Sequence, residues 1–291
     1  MKHTVGIAGL GLIGGSMAKA IRAKTDCRIY GMDILPDVVS QAKAQGVIDG
    51  ELAGGTLAEC SLVIIALYPD DVISYFKKNA ALLKNGAIVV DCAGNKTRVC
   101  AELSGFAQSR SIRFIGGHPM AGIECSGYSC SGAGLFSGAT MILCEDAYTD
   151  RAALEEMSSF FLSLGFGNIK ITTAREHDEV IAYTSQLVHL VSSAYMHSGT
   201  AQKRMGFSAG SFKDLTRVAK LNENMWTALF FENRENLLKE TDMFLESVRG
   251  YRDALAACDF GRMKDLLASG TALKLADEER EKEWLSGKKN G

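Results

Sequence analysis

An α/β fold, a doubly wound parallel sheet followed by an all-α domain, is predicted by three features of the 291-residue chain. Up to about residue 172, short apolar runs alternate with amphipathic segments, the pattern of β-α-β units. Beyond that point, long helical periodicity continues with no strand-like run. Between the first apolar run and the first amphipathic segment lies Gly9-Leu10-Gly11-Leu12-Ile13-Gly14, the spacing of a Rossmann-type phosphate-binding turn. The expected domains are a dinucleotide-binding domain over residues 1–172 and a helical substrate-binding and dimerisation domain over 173–291.

The elements follow in order. Residues 5–8 read as a buried strand and 12–24 as its helix; 27–31 form a second strand, and Pro36 opens a second helix. The continuous apolar run 62–67 is a strand, and Pro69-Asp70-Asp71 starts the next helix. Residues 87–91 and 113–115 are further strands, and 116–124 a glycine-rich turn. A strand at 140–144, a helix at 151–164 and a strand at 169–172 complete the sheet. One long helix is expected over 176–205, then helices at 213–221, 224–249 and 251–267 and a charged tail from Asp277. Long helices with this much apolar surface point to burial against a second copy, a homodimer.

Composition narrows the partners. A net charge of −2 gives no electrostatic reason for nucleic acid or an anionic membrane, and no apolar run reaches membrane-spanning length. The eight cysteines form no CxxC pair, so reduced core thiols are expected and no metal site. Strand character begins within the first few residues, leaving no room for a signal peptide, and the expected location is cytoplasmic.

In the glycine turn, Gly9 permits the tight turn, Gly11 the approach of a pyrophosphate, and Gly14 close helix-strand packing. Leu12 and Ile13 open the helix whose N-terminus faces the phosphates. Asp33 ends the second strand, where its carboxylate suits a ribose 2′-hydroxyl and repels a 2′-phosphate, favouring NAD. His118, in the glycine-rich turn, titrates near neutrality and suits a base that takes a hydroxyl proton as hydride leaves; a structural histidine is the other reading. Lys96 stands near the end of a strand, at the ligand edge, but taken alone reads first as a solvated helix start. Asp178, Ala182, Ser185 and His189 share one helical face, either a hydrogen-bond network in the core or a polar stripe on the cofactor cleft. Arg217 could clamp a carboxylate or form a surface ion pair, and Trp226 reads as core.

These segments together resemble the prephenate dehydrogenase family of tyrosine biosynthesis. The matching pieces are GLGLIGGS (9–16), GGHPMAGIE (116–124), His177-Asp178, SQLVH (185–189) and DLTRVA (214–219). The resemblance implies NAD-dependent oxidative decarboxylation of prephenate to 4-hydroxyphenylpyruvate, with His118 as general base and no metal. It further implies that Arg217 binds a substrate carboxylate, that His189 lines the same pocket beside Ser185 and Gln186, and that Glu124 lies at its mouth.

Two departures stand out. The family often carries serine where this chain has Gly94, so water, backbone or another side chain must orient His118. The family's H-x-x-H pair on the long helix begins here with Gln186, which can hydrogen-bond but cannot carry positive charge. The alternatives are an arogenate dehydrogenase with the same mechanism, a β-hydroxyacid dehydrogenase, and a silent NAD-binding sensor. The HPMAG segment argues against the second.

Overall fold

The structure is a computed structural model describing residues 3–287. The chain forms two compact units, one up to Asn236 and the other from Leu237. The first is built on an eight-stranded sheet of order β3-β2-β1-β4-β5-β6-β7-β8. The strands are β1 (Thr4–Ala8), β2 (Arg28–Met32), β3 (Gly50–Glu51), β4 (Leu62–Ile65), β5 (Ile88–Asp91), β6 (Arg113–Pro119), β7 (Thr140–Cys144) and β8 (Asn168–Thr172). Strands β1 to β6 pair in parallel, β7 pairs antiparallel to β6, and β8 is parallel to β7.

The central strands are apolar throughout because both faces are covered. Ile7, Ile29, Leu62, Ile64, Ile88 and Val90 pack on one face with Met17, Ile21, Met157 and Phe161 of helices α1 (Leu12–Lys24) and α6 (Arg151–Ser163). Ala8, Tyr30, Val63, Ile65 and Val89 face α4 (Pro69–Asn79) and α5 (Thr97–Ser109), meeting Val72, Phe76, Val99 and Leu103. Helices α2 (Pro36–Ala44) and α3 (Gly54–Glu59) complete the parallel crossovers.

Three expectations change. First, β6 does not stop at residue 115: it runs on through His118 to Pro119. The glycines that read as a turn serve close packing. A Cβ on Gly117 would lie 2.5 Å from the Asp91 carbonyl oxygen, and one on Gly116 2.5 Å from Cys100 Sγ. Residues 113–115 of β6 pair with β5, and 116–119 pair with β7.

Second, the helix expected over 176–205 is interrupted. Helix α7 (Ala174–Ile181) passes through a wide π-helical turn, Ala182–Leu187, into α8 (Val188–Tyr195), and a short 3₁₀ segment follows at Gly199–Lys203. The wide turn rotates the inward face, so Gln186 (2 % exposed) rather than Ser185 continues the buried line from Asp178 and Ala182. Then come α9 (Gly210–Thr216), a 3₁₀ turn at Arg217–Ala219, and α10 (Glu223–Glu232). Asn233 interrupts the helix expected over 224–249, and α11 (Arg234–Ala256) begins after it. A turn containing Cys258 (φ 50°) precedes α12 (Phe260–Gly287), which carries the charged tail expected from Asp277 as helix.

Third, two of the cysteines expected as reduced core thiols, Cys125 and Cys130, form a disulfide. They lie on the exposed loop after β6 rather than in a buried strand. Cys27, Cys60, Cys92, Cys100 and Cys144 are free and buried, and Cys258 is free and exposed.

The last strand ends at Thr172 and only helices follow. Compactness nevertheless divides the chain later, because α7 packs on α5 and the segments up to α10 are hydrogen-bonded into the first unit. In the second unit, Tyr251 of α11 donates to the Leu266 carbonyl of α12, and Met243, Leu245, Leu255, Leu267 and Leu273 are exposed. Among the described residues no helix is long and apolar enough to cross a membrane.

Candidate active site

The carboxyl ends of β1, β4, β5 and β6 share one edge of the sheet, and the strand order reverses beside β1, where ligands bind in such folds. Gly9 leaves β1 with φ +88°, and a Cβ there would meet the Ala66 carbonyl oxygen at 2.4 Å. A Cβ on Gly14 would overlap the Gly9 carbonyl oxygen, whereas one on Gly11 meets nothing within 4 Å. The loop is thus closed on the protein side and open at Gly11. Leu12 and Ile13 are partly exposed at the start of α1, whose first N–H groups have no intrahelical acceptor. Asp33 follows β2, its carboxylate accepting from Leu10 N at 2.9 Å and Leu35 N at 3.0 Å. Gly9, Gly11, Leu12, Ile13, Gly14 and Asp33 thus lie together at the carboxyl ends of β1 and β2.

His118 stands on the same edge, three strands from Gly9, a separation of roughly 14 Å at about 4.8 Å per strand. Its Nδ1 is 2.9 Å from His177 Nε2, and His177 Nδ1 is 2.7 Å from Asp178 Oδ1. The Asp178 carboxylate also accepts from Lys96 N and Thr97 N, both at 2.8 Å, and so caps the start of α5 from a distant helix. The contacts expected for His118 from water, backbone or another side chain therefore include His177. At Gly94 an added Cβ would lie 3.2 Å from Leu229 Cδ2.

Lys96 is not the solvated residue its position suggested. It is 0 % exposed and its ammonium pairs with Asp91, itself fully buried. The loop after β5 folds the lysine stem back against the sheet, where Asp91 Oδ1 also accepts from Gly117 N at 3.2 Å. Burial alone would push the Lys96 pKa down; the charge of Asp91 overrides it and holds the amine protonated. For His118 the balance runs the other way. Burial, then the neighbouring His177 and Lys96, hold its pKa well below the usual 6.5, with Asp178 opposing. Burial likewise depresses His177. Burial tends to raise Asp178, but hydrogen bonds from His177, Thr97 and Lys96 outweigh it and keep the carboxyl ionised below the usual range.

A second group gathers around Arg217. Ser192 Oγ donates to the Leu215 carbonyl at 2.8 Å, fixing the turn that bears Arg217 on α8. Arg217 pairs with Glu124, which follows His118 by one loop, and both are exposed. Thus the surface ion pair exists, and its guanidinium is open to solvent. His189 is partly buried, donates from Nδ1 to the Ser185 carbonyl at 2.8 Å, and stacks on Trp226 with ring centroids 4.0 Å apart. Trp226, expected as core, is partly exposed and forms this stack.

Gln186 joins neither group. Its Nε2 donates to Asn95 Oδ1 (3.0 Å) and the Leu229 carbonyl (3.3 Å), and its Oε1 accepts from Asn233 Nδ2 (2.9 Å). That amide is spent in a buried network, leaving it no free hydrogen for a ligand. Ser185 contributes its backbone carbonyl to His189. His177 had a signal in the sequence, standing beside Asp178 in a matching segment; Asn233 had none. Among the described residues no cluster could hold a metal ion.

The first family model that matches, "Prephenate dehydrogenase, nucleotide-binding domain", covers residues 17–170. The second, "Prephenate dehydrogenase, dimerization domain", covers residues 173–269. The chain belongs to the prephenate dehydrogenase family. Among relatives, prephenate dehydrogenase from Bacillus subtilis is 30% identical over 257 residues, spanning 85% of this chain and 69% of that protein. Cyclohexadienyl dehydrogenase from Zymomonas mobilis is 32% identical over 267 residues, spanning 89% and 90%. A crystal structure of prephenate dehydrogenase from Aquifex aeolicus, in complex with hydroxyphenyl propionate and NAD+, superposes with a TM-score of 0.81 at 27% identity, covering 95% of this chain and 98% of that one. Members of the prephenate dehydrogenase family are oxidoreductases, and the two matched regions meet where the sheet gives way to helices.

Proposed function

We propose that this protein oxidises and decarboxylates prephenate to 4-hydroxyphenylpyruvate, with NAD as hydride acceptor and His118 as general base. The observation that carries the reading is the partly buried imidazole of His118, held neutral on the same sheet edge as an open glycine loop. Gly9, Gly11, Leu12, Ile13 and Gly14 hold the pyrophosphate, and Asp33 takes the ribose hydroxyls and disfavours a 2′-phosphate. The nicotinamide supplies the hydride sink. His118 removes the C4 hydroxyl proton as hydride leaves C4, and the incipient dienone drives loss of the ring carboxylate as carbon dioxide. The bonding pair released aromatises the ring, and the proton on His118 returns to the phenolate oxygen.

Arg217 takes a substrate carboxylate, Glu124 stands at the pocket mouth, and His189 lines the pocket with the Nε2 that its contact to Ser185 leaves free. Replacing Arg217 with alanine is expected to raise KM for prephenate by about tenfold or more with a smaller effect on kcat. Initial-rate kinetics test this, and an unchanged KM removes Arg217 from the pocket. The pH profile gives a further test. Because the imidazole of His118 is held well below 6.5, kcat/KM should stay level from neutrality down through pH 6.5 and fall only at more acid pH. An acid limb centred at or above that value contradicts a base so depressed.

The exposed apolar residues of the second unit and the matched dimerization model support a homodimer formed through the helical part of the chain from residue 173 onward. The deciding experiment follows reduced-cofactor absorbance with prephenate and arogenate in parallel. Faster turnover of prephenate with NAD supports the reading, and preference for arogenate replaces it.

A further inference from the structure

Resting on His118 as the base, we infer that His177, backed by Asp178, is the positioning residue that sets the tautomer of His118. Asp178 is an acceptor on every side, because two backbone N–H groups at the start of α5 point at its carboxylate. The contact from His177 Nδ1, at 2.7 Å, must therefore carry a hydrogen on that nitrogen. A neutral His177 then has only a lone pair at Nε2, and that lone pair faces His118 Nδ1 at 2.9 Å. His118 must in turn carry its hydrogen on Nδ1. One carboxylate thereby fixes two imidazoles in series, and the lone pair of His118 is left on Nε2, the nitrogen that makes no contact in the chain.

The opposite arrangement is costly. A hydrogen on His118 Nε2 would demand Nε2–H on His177, and with His177 kept neutral by burial this leaves a lone pair on its Nδ1 facing an anionic carboxylate, in a site where His177 and Asp178 are each 3 % exposed. The same chain serves the protonated state. When the alcohol O–H bond breaks and Nε2–H forms on His118, the new positive charge is shared through Nδ1–H with His177. The Nδ1–H of His177 already lies on Asp178. No atom is lost from the chain when the proton returns to product oxygen.

Nitrogen NMR of the imidazole rings in the free enzyme reads the tautomer directly, with His118 identified by the signals that His118→Asn removes. The expected result is a pyrrole-type Nδ1 and a pyridine-type Nε2 on His118. The reversed pair of shifts overturns the assignment. His177→Asn keeps a donor toward Asp178 but withdraws the contact to His118, and His177→Gln restores an acceptor near the former Nε2. The asparagine variant is expected to lose about 100-fold in kcat with cofactor Kd changed by less than about threefold, and the glutamine variant to recover at least about tenfold of that loss. Asparagine and glutamine variants that turn over like the parent also overturn it. The spectrum is recorded without substrate, so a wrong tautomer and a wrong substrate are separate results.

Discussion

Replacing His118 with asparagine is expected to slow oxidation by about 100-fold or more while leaving NAD affinity near normal. Asparagine keeps a polar side chain at the end of β6 but cannot accept a proton at neutral pH. The glycine loop and Asp33 lie three and four strands away in the sheet, so cofactor affinity has no reason to change. Equilibrium binding of NAD, measured alongside steady-state rates, separates the two effects. A variant that turns over at the parental rate would show that a different group takes the proton. A variant that loses both rate and NAD affinity would show that His118 shapes the cofactor site instead.

The largest stability effect is expected from Lys96→Met. Lys96 and Asp91 are both 0 % exposed, and the ammonium of Lys96 is the cation paired with that carboxylate. Methionine fills much of the stem's volume but leaves the buried Asp91 carboxylate without its cation, which costs about 3–5 kcal/mol when one partner of such a pair is removed. Adding Asp91→Asn to the same chain removes the stranded charge and is expected to recover part of the loss. Urea unfolding of the single and double variants tests both statements. A single variant within about 1 kcal/mol of the parent would mean that Asp91 finds a proton or a solvent path once the lysine is gone.

Much of the architecture was legible because periodicity reports what a segment packs against. The apolar runs at Leu62–Ile65 and Ile88–Asp91 are buried on both faces, and Pro36 and Pro69 open helices as their fixed φ requires. In the glycine loop, Gly9 and Gly14 are required by the close approach of the Ala66 and Gly9 carbonyl oxygens, whereas an added Cβ at Gly11 would meet nothing within 4 Å. What escaped was set by tertiary contact. Gly116 and Gly117 look like a turn in sequence, and only the atoms of Asp91 and Cys100 beside them reveal a strand. Lys96 looks solvated until the fold supplies its anion. The wide turn after α7 has no composition signal, yet it exchanges Ser185 for Gln186 on the buried face. Asn233 resembles any helix break until its amide is found on the Asp178 carbonyl at 2.7 Å.

The change of partner halfway along β6 has a mechanical consequence. Its first residues are registered to β5, part of the parallel set that runs through β4 to β1, and its last residues, His118 among them, are registered to β7 of the added β7–β8 pair. The imidazole is therefore mounted just past the point where the strand changes partner, on the part held by β7. If His118 is the base proposed above, substitutions in the outer two strands are the ones that can re-aim its imidazole while β1, β2 and β4, which carry Gly9 and Asp33, keep their pairing.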